Sequence, residues 1–319
     1  MRLIRTWQDV PPDAVGAAVA IGNFDGVHEG HRAVVGAAAR AARKMGAPLG
    51  AVTFEPHPRS WLMPDLEAFR LTPFRPKARH LEALGVDFLY VLSFDDKMAG
   101  QPAEDFVRNI LIDGLQVGHV VVGHDFVFGK ERGGSAETLK HFEKDRAFEL
   151  TIVPSVNDET GSGYSSTRIR EALKKGDPAA AASLLGRHWE IEGHILPGDQ
   201  RGRTIGFPTA NMDLADYIRP KFGVYAIQID MEEAESGKPI WREGMANLGK
   251  RPTIGDNKVL LEVNIFNFND NIYGRLARVR LLDYVRPEMK FDGLASLKAQ
   301  ITADAAAARQ MIAALSIRQ

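Results

Sequence analysis

His28 and His31 stand three apart in the run IGNFDGVHEGH, residues 21–31, and their types and spacing suggest chemistry. On a helix this spacing puts both imidazoles on one face of the first turn. A helix start offers unpaired N–H groups and a partial positive charge, which favour a phosphate. Two imidazoles there could donate hydrogen bonds as charge builds during a transfer. Gly22 and Gly26 allow backbone angles closed to other residues, so the turn can be sharp and a ligand can come close. A satisfied polar turn is the plainer alternative. Zinc fits poorly: HEGH lacks the four-residue spacing of the HExxH helix, and no third ligand stands at a suitable distance along the chain.

A second group lies in GYSSTRIREAL, residues 163–173. Ser165, Ser166 or Thr167 could cap a helix, with Glu171 in its early turns. Capping explains one hydroxyl; three of them followed by Arg168 and Arg170 suit a polyphosphate better. In VLLEVNIFNF, strand alternation puts Glu262 on one face with Leu260, Asn264 and Phe266, where a carboxylate could accept a proton from a substrate hydroxyl. A solvated edge glutamate is the bland reading of that residue alone. Thr209 and Asn211 are two apart, so an extended chain aims both the same way. A hydroxyl and an amide carbonyl are hard oxygen ligands of the kind Mg²⁺ takes; otherwise PTAN (208–211) reads as a turn.

Two kinds of element must position these groups. Up to about residue 186, the apolar strands AAVAIG, LGAVTF, VDFLYVLSF, HVVVG and FELTIVP alternate with helical stretches, the first of them stopping at Gly46. That rhythm predicts a doubly wound α/β domain with a parallel sheet, and ligands outside the carboxyl ends of its strands. GNFDGVHEGH, EPHPRS and GHDFVFGK all follow strands and can face one crevice. From about residue 187, GVYAIQIDM, WREGMANLG, VLLEVNIFNF and LARVRLLDYV are strand-like without crossover helices between them. They predict a small antiparallel β-barrel, closed by the helical tail GLASLKAQITADAAAARQMIAAL. The expected domains are therefore residues 1–186 and 187–319.

Composition narrows the function. The chain has 319 residues, 45% hydrophobic and 25% charged, with a net charge of −1. No overall field would draw nucleic acid or an anionic membrane. Absence of cysteine excludes a disulfide scaffold, thiolate zinc and a cysteine nucleophile, and suits a reducing compartment. The start lacks a signal-peptide core, and no run approaches the roughly 18 apolar residues of a membrane span. A cytoplasmic protein is expected. Oligomeric state is left open.

GNFDGVHEGH with SSTRIR resembles the nucleotidyltransferases that carry H-x-G-H and a distal S-S-T-x-I-R. GRTIGFPTAN, NLGKRPTIG, LLEVNIFNF and VRPEMKF resemble the ordered signatures of riboflavin kinases. Together they make the chain similar to bifunctional bacterial riboflavin kinase/FMN adenylyltransferases over nearly its whole length. The resemblance implies ATP-dependent phosphorylation of riboflavin to FMN in the second half, and adenylylation of FMN to FAD in the first. It also implies Mg²⁺, with no covalent intermediate on the enzyme. By resemblance, Gly22, Phe24, Asp25, Gly26, His28, His31 and Asp125 meet ATP in the first half, with Ser165, Ser166, Thr167 and Arg170 holding its phosphates from the opposite side. Gly198, Arg203 and Pro208 meet the kinase ATP. Thr209 and Asn211 bind the metal, and Glu262 is the general base. Pro56, His57, Pro58, Arg59 and Phe128 contact FMN, while Arg286 and Glu288 contact riboflavin. Asn264 and Asn267 depart from the His and Asp that many relatives carry. The loop GHDFVFGKE imitates a P-loop but has five residues between its glycines and Glu131 where a hydroxyl belongs. It and TFEPHPR are also compatible with plain strand-to-helix turns. Retention of only one activity, or a flavin- or nucleotide-sensing protein without turnover, are the alternatives.

Overall fold

The computed structural model describes residues 1–145, 147–197, 209–231, 239–251 and 258–316. The chain divides into two compact units, Met1–Glu67 with Thr72–Ser166, and Ala68–Leu71 with Thr167–Gln319. The division falls earlier than the change of sequence pattern near residue 187. Periodicity identifies the helices just before that point but does not say which core they join.

In the first unit six parallel strands form one sheet: β1 (Arg2–Ile4), β2 (Ala18–Ile21), β3 (Leu49–Glu55), β4 (Phe88–Ser93), β5 (His119–Gly123) and β8 (Glu149–Val153). Their order is β1-β4-β3-β2-β5-β8. Alternation within β2 sends Val19 and Ile21 into one apolar layer and Ala18 and Ala20 into the other. A sheet buried on both faces needs such continuous apolar runs. Strands β3 and β4 extend to one side of β2, whereas β5 returns to its other side. That reversal opens a crevice beyond the carboxyl ends of β2 and β5.

Helix α1 (Glu29–Met45) follows β2 and ends at Gly46, whose φ of 64° lets its N–H reach the carbonyls of Ala42 and Arg43. The remaining helices of this unit are α2 (Pro58–Leu62), α3 (Phe74–Ala83), α4 (Asp96–Gly100), α5 (Ala103–Asp105, continued by a wider turn over Phe106–Ile112) and α6 (Ala136–Lys144). A hairpin of β6 (Val127–Phe128) and β7 (Gly134–Ser135) follows β5.

The second unit is a closed antiparallel barrel in the order β10-β13-β12-β11-β14-β9. Its strands are β9 (Glu190–Leu196), β10 (Ala210–Asp213), β11 (Gly223–Asp230), β12 (Arg242–Arg251), β13 (Lys258–Ile265) and β14 (Leu276–Arg286). Helices α7 (Ser166–Lys175, its first residue in the other unit) and α8 (Pro178–Leu185) precede it, and α9 (Leu294–Ser316) ends it. Ala308 and Ile312 of α9 pack against Val224, Ala226, Met245 and Leu282. The short Ala68–Leu71 segment belongs here too: the Trp189 indole donates to Leu71 O at 2.9 Å. Among the described residues no helix is long and apolar enough to cross a membrane.

Candidate active sites

The first unit builds its candidate site on the loop from β2 into α1. His28 is the N-cap of α1, and its Nδ1 accepts the His31 backbone N–H at 3.4 Å. A neutral ring bonded this way carries its proton on Nε2, leaving that atom as a donor. The His28 and His31 rings stack with centroids 3.7 Å apart, and Phe24 meets His31 edge-on at 5.4 Å. Gly30 lies under His28: a Cβ there would stand 3.1 Å from the ring's Cε1. The glycine of H-E-G-H is thus the space in which the first imidazole sits.

The loop itself is tightly wound. Gly26 has φ of 93°, and Val27, buried and β-branched, has φ of 44°. Such a conformation persists only where the surroundings enforce it. Asp25 Oδ1 accepts the Thr72 N–H at 2.9 Å, the Gly26 N–H donates to Thr72 Oγ1 at 2.8 Å, and Ser166 Oγ donates to Asp25 O at 2.8 Å. Three residues expected at ATP therefore have structural work. The Phe24 ring lies in the core, the Asp25 carboxylate is buried on Thr72, and the Ser166 hydroxyl is bonded to the loop backbone.

Ser165 stands immediately before α7 in this unit, whereas Thr167 and Arg170 count with the second. There Arg170 Nε donates to Phe69 O at 2.8 Å and its guanidinium lies 5.3 Å from the Phe69 ring. Asp125 is exposed just beyond β5. Phe128 is packed between Phe106 and Phe126, at 5.4 and 5.3 Å, and only 7% of it is exposed. The partner Phe126, missed in the sequence, is the more accessible of the two. After β3, Pro56 follows a cis bond, and His57 caps the short α2 by accepting the Arg59 N–H at 3.1 Å. Pro56 and Arg59 are exposed, Pro58 half-buried.

In the second unit the candidate groups sit on strands, and ladder register sets their spacing. Asn211 of β10 lies directly opposite Glu262 of β13, which on its other side lies opposite Asn247 of β12. Directly opposite residues share a face of the sheet, so the three form one row: amide, carboxylate, amide. Thr209 stands two residues before Asn211, just outside β10. The Asn211 Oδ1 is buried and has no hydrogen-bond partner among the described residues. A buried amide oxygen with a free lone pair fits a divalent cation of the oxygen-seeking kind.

Asn264 is buried opposite Met245, and Asn267, at φ of 55°, accepts from Arg309 of α9 at 3.5 Å. Arg286 is committed to α9 by a bidentate pair with Asp304, at 2.8 and 2.7 Å. It fixes the helix rather than presenting a free guanidinium. Glu288 is exposed and its carboxylate lies against Gly249, where a Cβ would collide with it. Gly198, Arg203 and Pro208 lie outside the described residues. Asn247 lies in WREGMANLG, which reads as a strand, but only the β12–β13 register shows that it stands opposite Glu262.

Residues 10–168 match the family model for FAD synthetase and residues 185–312 that for riboflavin kinase. The chain is 38% identical over 295 residues to the bifunctional riboflavin kinase/FMN adenylyltransferase of Escherichia coli strain K12, covering 92% of each. It is 38% identical over 314 residues to the enzyme of that name from Pseudomonas fluorescens, covering 98% of each. A solved Streptococcus pneumoniae chain described as a macrolide-efflux protein aligns with a TM-score of 0.81 at 35% identity, over 95% of this chain and 96% of its own. Two matched family models in one chain, and 38% identity over more than nine-tenths of relatives named for both activities, establish that this chain belongs to the bifunctional riboflavin kinase/FMN adenylyltransferase family.

Proposed function

We propose that the chain makes both flavin cofactors, one in each unit, with domain roles divided near residue 187. The barrel unit transfers the γ-phosphoryl group of ATP to the 5′-hydroxyl of riboflavin, giving FMN and ADP. Glu262 takes the hydroxyl proton as that oxygen attacks phosphorus and the bond to the ADP oxygen breaks. Asn211 and Asn247 stand opposite Glu262 on the neighbouring strands, one on each side. Thr209 and Asn211 hold Mg²⁺, which when bound neutralises phosphate charge. Glu288 meets riboflavin, and Arg286 acts by anchoring the strand end beside it.

The sheet unit transfers the adenylyl group of a second ATP to FMN. An FMN phosphate oxygen attacks the α-phosphorus, and pyrophosphate leaves. His28 Nε2–H, His31 and the positive N-terminal end of α1 stabilise the charge that develops, and Ser165 approaches the phosphates from the start of α7. Pro56 to Arg59 and the Phe126–Phe128 pair meet FMN. The cysteine-free chain suits the reducing cytoplasm.

What supports this reading is that each unit, taken alone, sets a different pair of chemically able side chains side by side: two stacked imidazoles in one, a carboxylate opposite an amide in the other. Incubation with riboflavin, ATP and Mg²⁺, followed by chromatography, tests it. FMN and then FAD are expected. FMN alone would mean one live activity, and bound ligand without turnover a sensor.

A further inference from the structure

Lys77 has no part in either reaction as described, yet its side chain is wholly buried in α3. Its ammonium donates to Glu55 Oε1 at 3.0 Å and to Thr53 Oγ1 at 3.4 Å. Thr53 Oγ1 in turn donates to Asn23 O, at 3.4 Å, within the loop that carries His28. Glu55 is the last residue of β3 and is bonded directly to Pro56, the first residue of the other loop. Just before α3, Thr72 clasps the apex of the histidine loop through Asp25 and Gly26. A buried ion pair is roughly neutral for stability against an apolar pair of the same shape. What an ammonium adds over a leucine is direction: separate bonds aimed at two separate loops.

We propose that Lys77 is a positioning residue for adenylyl transfer. It holds the histidine loop, through Thr53, and the Pro56–Arg59 loop, through Glu55, at one fixed separation. The proposal rests on the adenylyl-transfer reading of the sheet unit, in which the first loop acts on ATP and the second on FMN.

The full-length chain tests it, with both products assayed in each variant. Lys77→Met is expected to lower kcat/KM for FAD formation by about 30-fold, the scale of a sub-ångström misplacement, while riboflavin phosphorylation stays within about twofold. The two milder variants should split. Thr53→Val should lower kcat by about fivefold with KM for FMN unchanged, and Glu55→Gln should raise KM for FMN by about fivefold with kcat unchanged. A purely structural role would instead shrink the active fraction, lowering kcat alone in every variant in proportion to the fraction unfolded. Lys77→Met with unaltered FAD kinetics overturns the proposal. So does the absence of the split, which decides the matter if Lys77→Met does not fold. A wild-type chain that makes FMN but no FAD overturns the adenylyl-transfer reading and the proposal with it. Wild-type FAD synthesis without the split overturns the proposal alone.

Discussion

The two units solve one problem, presenting side chains to ATP and a flavin, by opposite means. In the sheet unit the chemistry lies in loops beyond strand ends, where no ladder holds it. Tethers from Thr72, Ser166 and Lys77 do so instead. In the barrel it lies on the strands, where pairing Asn211 with Glu262 and Glu262 with Asn247 fixes spacing without tethers. A site on a strand inherits the precision of its sheet, whereas a site on a loop must be tied down piece by piece. Substitutions away from the reacting groups should therefore act differently in the two halves.

The sharpest test removes one group from each. Glu262→Gln should cut riboflavin phosphorylation by about 10³-fold, a general base's share, and leave FAD formation from supplied FMN within about twofold. His28→Ala should do the converse, costing FAD formation about 10²- to 10³-fold while FMN accumulates. Loss of both activities from either change, in a protein of normal circular dichroism, would break the comparison.

A glycine pair sharpens it. Gly30→Ala puts a methyl 3.1 Å from the His28 ring, which is held by its own cap bond, and should cost adenylyl transfer about 10-fold. Gly249→Ala collides with the exposed carboxylate of Glu288, which can swing aside, and touches Asn247 Nδ2 only at the ordinary contact distance of 3.5 Å. It should raise KM for riboflavin about threefold at most, as steady-state kinetics on each product would register.

An effect on stability rather than on rate is one the units share. Burial, with the Asp13 charge adding to it, pushes the Tyr90 hydroxyl of the sheet unit up to about 12, and burial with Tyr284 beside it raises Tyr225 in the barrel. An unfolded tyrosine releases its proton near pH 10. The stabilisation is thus intact below pH 10 and is lost as pH rises towards 12, amounting for Tyr90 to about 2–3 kcal/mol. Thermal unfolding followed against pH should show a fall that Tyr90→Phe and Tyr225→Phe each blunt. An unchanged slope in both would mean that other groups set the alkaline limit.

Periodicity exposed most of the fold. The apolar runs ending at Ile21, Phe54, Leu92 and Val122 read as buried parallel strands, and the Ala-rich stretch ending at Gly46 read as a helix. Strand β1 was illegible because it is three residues long with two of them exposed. Strand β9 carries charged and glycine residues in its middle, and buries Glu190 against Arg280. Motif residues were legible as types, but their duties were not. Asp25 and Phe24 look like ligand contacts in GNFDG, and only the tertiary partners Thr72 and His31 show what holds them. Lys77 was invisible for the same reason, since an amphipathic pattern assigns a lysine to the wet side of a helix.

Closure of the barrel runs through the metal candidate itself. Among the described residues β9 and β10 meet at two pairs, Asn211 with Leu196 and Met212 with Ile195, the thinnest joint in the ring. Occupancy of Asn211 would act as a rivet there. Nucleotide with its cation should therefore protect the amides of residues 195, 196, 211 and 212 from deuterium more than any others in the barrel, so that the enzyme's stiffness becomes a gauge of its charge of ATP.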